Sequence, residues 1–584
     1  MMTRIARPQT AYSRRLCWML ACSAAVAGMM TVTVSADEFD RPAGMRGQSR
    51  SMVLARNGMV ATSDPMAAQA GLDVLRQGGN AIDAAIAANA ILGVAEPMNC
   101  GLGGDLFAII WDAKTKKLYG LNASGRSPRS LTRQVFQDKQ LKEIPSEGPL
   151  SWSVPGCVDG WYELNTRFGT RPLAELLQPA IAAADQGRPI TELIATDWSR
   201  AQKKLEKWAD SSRVYLPGGK PPKAGEVVHQ PELAASYRLI ATQGRDGFYK
   251  GAIAAEIDRF SRESGGYLTA ADLAAHTSEW ITPVSTTYHG YSVWELPPNG
   301  QGIAALQMLN LLEPFDLKSL GQKSPEFVHL VVEAKKLAFA DRAKFYADPA
   351  FAKLPTAELI SKAYADRRRV LINRDQAATN ILAGDPKLEH GDTVYLTVVD
   401  KDRNCCSLIQ SVCSSFGSKV VPGKVGFIMQ NRGASFALSD DHFNRLEPGK
   451  RPFHTIIPAM VTQDDKPCFS FGVMEGDMQA QGHVEVLINK IDFGMNVQAA
   501  GDTARIRHGG SPSPSGGLGA ADGGTVYLES GFPTATRDRL KALGHNVAEK
   551  GDGFGGYQGI WIDWTNGVLH GASDPRKDGA AVGY

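Results

Sequence analysis

At 584 residues, with 43% hydrophobic and 21% charged side chains, the chain has a globular composition and the length for a large buried core. Its 63 basic and 61 acidic side chains nearly cancel, so nothing points to a nucleic-acid or acidic-polymer partner. The first 36 residues stand apart. Arg4, Arg7, Arg14 and Arg15 precede an uncharged apolar run over 16–34, and Val34-Ser35-Ala36 has the small-x-small form that a signal peptidase accepts. Residues 1–36 read as a secretory signal peptide cleaved after Ala36, which makes the protein exported, either periplasmic or secreted. Three competing readings stay open. One is an uncleaved anchor, for which the Ala, Gly, Ser and Thr content of the run is poor. The others are a twin-arginine signal, with Cys17 and Trp18 where Phe and Leu are wanted, and a lipoprotein box at Met19-Leu20-Ala21-Cys22.

After a polar stretch over 37–51, residues 58–62 read as a strand entering a helix, with Ser63-Asp64-Pro65 supplying a cap and a first-turn proline. Residues 67–92 are dominated by Ala, Ile, Leu and Val and are broken by Gly78-Gly79-Asn80, the pattern of two packed helices joined by a tight turn. Asp73, Arg76 and Asp83 make them core helices rather than membrane spans. A glycine-rich run over 101–105 leads into a buried strand at 106–111, with a hairpin partner at 117–122; glycines there let backbone approach backbone or ligand. A long helical middle is clearest at 173–186, 231–242 and 325–346. Residues 373–389 turn polar and irregular, as a processing loop would. Beyond it, 394–399, 405–412, 426–429, 455–461 and 469–473 read as short apolar strands and 480–493 as a long helix. A loop over 511–524 is followed by further strands at 526 and 559–564.

Of the eight cysteines, Cys17 and Cys22 fall in the leader; the other six show neither Cys-x-x-Cys nor a matching histidine spacing, which argues against zinc. Export leaves a disulfide open. Adjacent Cys405 and Cys406 on a strand would point to opposite faces, so at least one is a small core residue.

Residues 390–400, His-Gly-Asp-Thr-Val-Tyr-Leu-Thr-Val-Val-Asp, put Thr393 after a Gly-Asp turn and at the head of a β-branched strand. Cleavage between Asp392 and Thr393 would make that threonine residue one of a chain, with its own α-amine as general base for the hydroxyl. Alone, the segment reads equally as a threonine that merely begins a strand.

The segment around Thr393 resembles the gamma-glutamyltransferase (glutathione hydrolase) family, and the resemblance covers nearly all of the chain after the leader. It is carried by Gly78-Gly79-Asn80-Ala81-Ile82-Asp83-Ala84-Ala85, by 101–105, by Val154-Pro155-Gly156, and by Pro297-Pro298-Asn299-Gly300-Gln301-Gly302. Gly391-Asp392-Thr393, Lys450-Arg451-Pro452 and Gly571-Ala572-Ser573-Asp574-Pro575-Arg576 complete it. The resemblance implies a four-layer αββα sandwich of the N-terminal-nucleophile hydrolase type. One large domain would be made of two autocleaved chains, a large subunit over 37–392 and a small one over 393–584, paired as a heterodimer with no membrane span once the signal is removed. It also implies a small-molecule amide as substrate, an acyl-enzyme on Thr393 released to water or to an acceptor amine, and no metal or organic cofactor. By the same likeness Ser411 is a second hydroxyl steadying the nucleophile, and the Glu475-Gly476 peptide groups form the oxyanion hole.

The sequence departs from the family where the substrate's α-carboxylate and α-amine should be held. Ser124 stands at the expected arginine, Ser435 at the expected aspartate, Arg432 at a usual glutamine, Cys413 at an asparagine, and His454-Thr455 at a pair of serines. Arg126 or Arg432 are candidate carboxylate ligands and Glu475 a candidate ammonium ligand. Against these stand plainer roles, a surface ion pair for Arg126 and a satisfied structural histidine for His454. The segment 437–452 is short, which opens the pocket, and the Gly-Asp-Thr-Val-Tyr form resembles the cephalosporin-acylase-like branch. The first reading is a gamma-glutamyl amidohydrolase acting on substrates such as glutathione. The alternatives are a glutaryl or cephalosporin acylase with the same nucleophile and, after it, a non-catalytic binding relative.

Overall fold

The computed structural model describes residues 45, 47–379 and 391–584, with backbone only for Gly391 and Asp392. The leader expected over 1–36 and the greater part of the processing loop expected over 373–389 lie outside the described residues.

Two seven-stranded sheets stack face to face. From edge to edge the first runs Val53–Ala55, Val568–Ser573, Tyr557–Asp563, Lys466–Val473, Ala459–Gln463, Tyr291–Glu295 and Val284–Tyr288. The second runs Ala580–Gly583, Met59–Thr62, Gly391–Val399, Cys405–Ser414, Asp105–Asp112, Lys117–Ala123 and Glu279–Ile281. Neighbours in both are antiparallel. Phe107, Ile109, Trp111, Tyr395, Met460 and Ile560 fill the space between the sheets. Helices Pro65–Arg76, Ala81–Ala95, Cys157–Phe168 and Pro231–Gln243 pack on the outer face of the second sheet. Gly302–Leu312, Pro325–Phe345 and Met478–Ile491 pack on the outer face of the first. The layers are therefore αββα, as the family resemblance implied.

Local chemistry explains the boundaries. Asp64 caps the first helix by accepting from the Met66 and Ala67 N–H groups, with Pro65 in the first turn. Asn80 and Asp83 form a reciprocal capping box that starts the second helix. The helix expected over 173–186 divides into Leu173–Leu176 and Gln178–Gln186, because Pro179 starts a new helix rather than continuing one. Residues 426–429 form no strand, contrary to expectation. Gly426 is left-handed (φ +75°), and Met429 exchanges hydrogen bonds with Val420 and Ser418 in an irregular loop. The strand expected over 455–461 begins only at Ala459. Cys405 and Cys406 do face opposite ways, Cys405 between the sheets and Cys406 toward the helices. All six described cysteines are buried and free of disulfides. Among the described residues no helix is long and apolar enough to cross a membrane.

Candidate active site

Along Gly391–Val399 the side chains alternate. Val394, Leu396 and Val398 face the helices, while Tyr395 and Val399 face the other sheet. Thr397 also faces inward, its hydroxyl 2.6 Å from that of Ser470 on the first sheet. The same period turns Thr393 toward the seam between the sheets, at the strand's open end. There the ladder slips, with Asp392 opposite Cys413 and Val394 opposite Gln410, so the Cys405–Ser414 strand bulges at Ser411 and Val412 opposite Thr393. Thr393 is 2% exposed. Its Oγ1 accepts from Gln479 Nε2 at 3.4 Å. Gln479 is held in turn by Ile457 N–H donating to its Oε1 at 3.0 Å.

Ser411, on the neighbouring strand, accepts from Cys413 N–H at 2.8 Å and from Arg432 Nη2 at 3.4 Å. A side chain at Gly104 would meet the Ser411 carbonyl at 2.4 Å, so this glycine lets the loop before Asp105 close on the site. Arg432 is fully buried. Its Nη1 donates to Thr455 Oγ1 at 3.0 Å, and its Nε has no partner. Among the described residues no carboxylate lies within ion-pair distance of it. An unpaired buried cation is costly, and the cleft it borders is where a compensating anion can bind.

Glu475 and Gly476 form a turn with φ of +78° and +47°. A left-handed glutamate is strained. Two contacts hold it, Lys577 Nζ at 2.8 Å and Gly555 N–H at 3.1 Å. Burial opposes the Glu475 charge, yet Lys577 outweighs it and keeps the carboxyl below its usual range. Gln301 Nε2 donates to the carbonyls of Gly476 at 2.9 Å and Thr455 at 2.7 Å. Arg342 grips Gln301 Oε1 at 2.6 Å and both oxygens of Asp477 at 2.5 and 3.1 Å. Among the described residues the N–H groups of Glu475 and Gly476 have no partner, which leaves two fixed donors beside the cleft.

That cleft encloses about 960 Å³. Cys413, Arg432, Ser435, Thr455, Glu475 and Gly476 line it together with Ser63, Glu96 and Asn99. A family profile described as gamma-glutamyltranspeptidase matches residues 67–584. This chain belongs to the gamma-glutamyltranspeptidase family. It is 38% identical over 538 residues to the glutathione hydrolase-like YwrD proenzyme of Bacillus subtilis (strain 168), covering 91% of this chain and 99% of that one. To the glutathione hydrolase proenzyme of the same organism it is 32% identical over 569 residues, with 94% of each covered. The crystal structure of cephalosporin acylase from Bacillus halodurans superposes with a TM-score of 0.84 at 41% identity, covering 94% of this chain and 99% of the other. The chain is an enzyme of this N-terminal-nucleophile hydrolase and gamma-glutamyltransferase class.

Within this gamma-glutamyltranspeptidase-family cleft, two of the expected substrate ligands are not on the lining. Arg126 turns away to the Gly449 carbonyl at 3.2 Å and to Asp348 at 3.6 Å, the plainer ion-pair role. His454 is fully buried with its ring tilted against Phe107, and its Nε2 lies 3.0 Å from Asp105 Oδ2. Burial and the nearby Arg432 guanidinium lower its pKa to about 4 against the pull of Asp105, so it is neutral and donates to that carboxylate. Ser124, at the expected arginine, is tied to Asn122 at 2.8 Å and Asn299 at 3.1 Å. Glu475, expected as an ammonium ligand, is already neutralised by Lys577. Sequence reasoning missed Gln479, Gln301, Asp105, Arg342 and Asp477. A signal for Arg342 existed: the 325–345 helix carries Lys335, Lys336 and Arg342 among apolar residues on every face, and charges in a wholly buried helix need specific partners.

His329, Glu333 and His545 could together offer ligand atoms to a cation. Each already has a hydrogen-bond partner. His329 Nε2 serves the Asn373 carbonyl, the two imidazoles share a 2.7 Å hydrogen bond, and Lys336 and Ala378 N–H occupy Glu333.

Proposed function

We propose that this chain is a self-processing threonine amidohydrolase and acyltransferase for amides whose acyl group carries a carboxylate, gamma-glutamyl amides such as glutathione foremost. The observation that carries the reading is Arg432, a buried guanidinium on the cleft wall, bound only by hydroxyls and beside Ser411 in the bulge opposite Thr393. A carboxylate supplies the charge it lacks, and planar donors suit that shape.

In maturation Thr393 Oγ attacks the Asp392 carbonyl carbon. The C–N bond breaks, the threonine nitrogen takes the proton, and water opens the resulting ester to leave an Asp392 carboxylate and a free Thr393 hydroxyl and α-amine. In turnover the same hydroxyl attacks the substrate amide with the α-amine as base. The Glu475 and Gly476 N–H groups receive the oxyanion, and the leaving amine departs with the proton. Water or an acceptor amine then releases the acyl group. The proenzyme names of the relatives support two-chain maturation into a heterodimer, and the leader pattern expected over 1–36 supports an exported enzyme.

A second reading, a glutaryl-type acylase, is favoured by the uncharged Ser435 and by the Lys577 pairing that spends Glu475. It shares the nucleophile and the carboxylate site and lacks only the α-amine. Processed protein assayed on gamma-glutamyl- and glutaryl-p-nitroanilide, with Thr393→Ala as blank, decides between them. Turnover preferring the gamma-glutamyl donor supports the first reading, and preference for the glutaryl donor supports the second. Turnover that survives in Thr393→Ala refutes both.

A further inference from the structure

The cleft has a second unbalanced charge site at Glu96. Glu96 follows the helix Ala81–Ala95 and is 3% exposed, yet it lines the cleft with Ser63 and Asn99. Ser63 Oγ donates to one carboxylate oxygen, and Asn99 Nδ2 donates to the other at 2.7 Å. Both donors are neutral. Among the described residues no cation lies within ion-pair distance of Glu96. The neighbouring charges are already engaged, Asp64 with Arg188 at 2.9 Å and Lys577 with Glu475 at 2.8 Å.

Topology brings this carboxyl close to the nucleophile. Ser63 follows directly on Thr62, which pairs with Leu396 on the Thr393 strand and donates to the Tyr395 carbonyl. Asn99 accepts through its carbonyl from Val412 N–H at 3.1 Å, and Val412 lies in the bulge opposite Thr393. Ser63 and Asn99 therefore tie Glu96 to both strands that flank Thr393.

We propose that Glu96, held by Ser63 and Asn99, is an ammonium-binding subsite of this cleft. The cation it takes is a protonated primary amine, either the α-amine of the acyl donor or the amine of the acceptor. The inference deepens the proposed function and rests on it for its substrates, since Glu96 restores the charge that Ser435 does not carry. Burial pushes its carboxyl up to about 7, against the pull of the two donors, so the subsite is charged and competent above neutrality and fades below it.

The test uses processed wild type, Glu96→Gln, which keeps the shape and a hydrogen-bonding amide, and Glu96→Asp, which keeps the charge. At pH 8 the first arm is the ratio of kcat/KM for gamma-glutamyl- over glutaryl-p-nitroanilide. The second is the ratio of transfer to hydrolysis with glycylglycine, set against hydroxylamine, which is uncharged at that pH. If the donor amine is bound, the first ratio falls about tenfold or more in Glu96→Gln; if the acceptor amine is bound, the glycylglycine ratio falls by that factor and the hydroxylamine ratio does not. Glu96→Asp recovers part of either loss. Calorimetric binding of L-glutamate against glutarate, and of glycylglycine against its N-acetyl derivative, needs no turnover. If neither anilide is hydrolysed but Glu96→Gln still abolishes an amine preference in binding, the inference stands and the functional reading falls. Ratios and binding preferences all within about twofold of wild type would overturn it.

Discussion

Replacing Arg432 by glutamine tests the centre of the functional reading. The guanidinium donates to Thr455 Oγ1 at 3.0 Å and to Ser411 Oγ at 3.4 Å, and its Nε is unpaired in a fully buried setting. Glutamine can keep one hydroxyl contact but brings no charge. A hydrogen bond to a charged group contributes about 1.5–3 kcal/mol, so a carboxylate-bearing donor should lose roughly 10- to 150-fold in kcat/KM. A donor of similar length without the carboxylate, such as butyryl-p-nitroanilide, never used that interaction. It should change by less than about threefold, or gain, because the variant no longer leaves a buried cation unpaired beside an apolar acyl chain. The assay is therefore a selectivity ratio, glutaryl over butyryl, in Arg432→Gln, Arg432→Lys and wild type. Lysine keeps the charge on a different shape and should fall between the two. Equal losses on both donors would refute the reasoning, since Arg432 would then act only by supporting Ser411 and the strand around it.

Thr393→Ala should remain a single chain on a denaturing gel; appearance of the two fragments would disprove self-processing at that bond. Arg342→Gln takes the guanidinium from Asp477 and the anchor from Gln301; breaking a fully buried pair costs about 3–5 kcal/mol, and the partial exposure of the Asp477 side chain lowers the cost here. The expected result is a lower melting temperature together with a kcat loss as the 475–477 turn loosens; an unchanged thermal curve would reject this account of the turn. The Glu96 carboxyl rises from 4.5 to about 7, so the folded state holds a proton that the unfolded state releases. Its stabilising effect is complete below pH 4.5 and is lost as the pH climbs through 7, a span worth on the order of 3 kcal/mol. Melting curves from pH 4.5 to 8.5 should therefore fall more steeply for wild type than for Glu96→Gln, and parallel curves would contradict the burial of this group.

The layered fold was readable because its signals are local. Asp64-Pro65 and Asn80 with Asp83 mark helix starts by side-chain chemistry, and apolar alternation marks the Thr393 strand. Where backbone polar groups pair across distance instead, the pattern misleads: residues 426–429 are as apolar as a strand but wrap as a loop, because Gly426 is left-handed and Met429 pairs with Val420 and Ser418. At the site, the Gly-Asp turn before a β-branched strand marked Thr393, and the family resemblance brought Ser411, Arg432, Thr455 and Gly476 forward as candidates. Sequence reasoning misjudged charge. Arg126 and Glu475 were legible as ions, but whether an ion is available depends on what folds against it, and Asp348 and Lys577 come from elsewhere in the chain, Asp348 more than two hundred residues from Arg126.

Glu96 is the converse case. Its segment reads as the end of an alanine-rich core helix, and nothing local distinguishes its acid from a surface one. Only the packing of Ser63 and Asn99 turns it into a carboxylate that is buried, cleft-facing and without a cation. In the proposed reading the recognition charges of this cleft differ from the family pattern in position as well as identity. Arg432 comes from the loop after the Cys405–Ser414 strand, and Glu96 from the turn before Asp105–Asp112. Cys405–Ser414 pairs with the Thr393 strand, and Ser63 and Asn99 join Glu96 to the two strands beside it, so in the proposed reading the charge pair can move around Thr393 while the geometry of Thr393, set by the bulge opposite it and by Gln479, stays fixed. That separation of duties is a physical route by which one αββα scaffold serves both gamma-glutamyl hydrolysis and acylase chemistry.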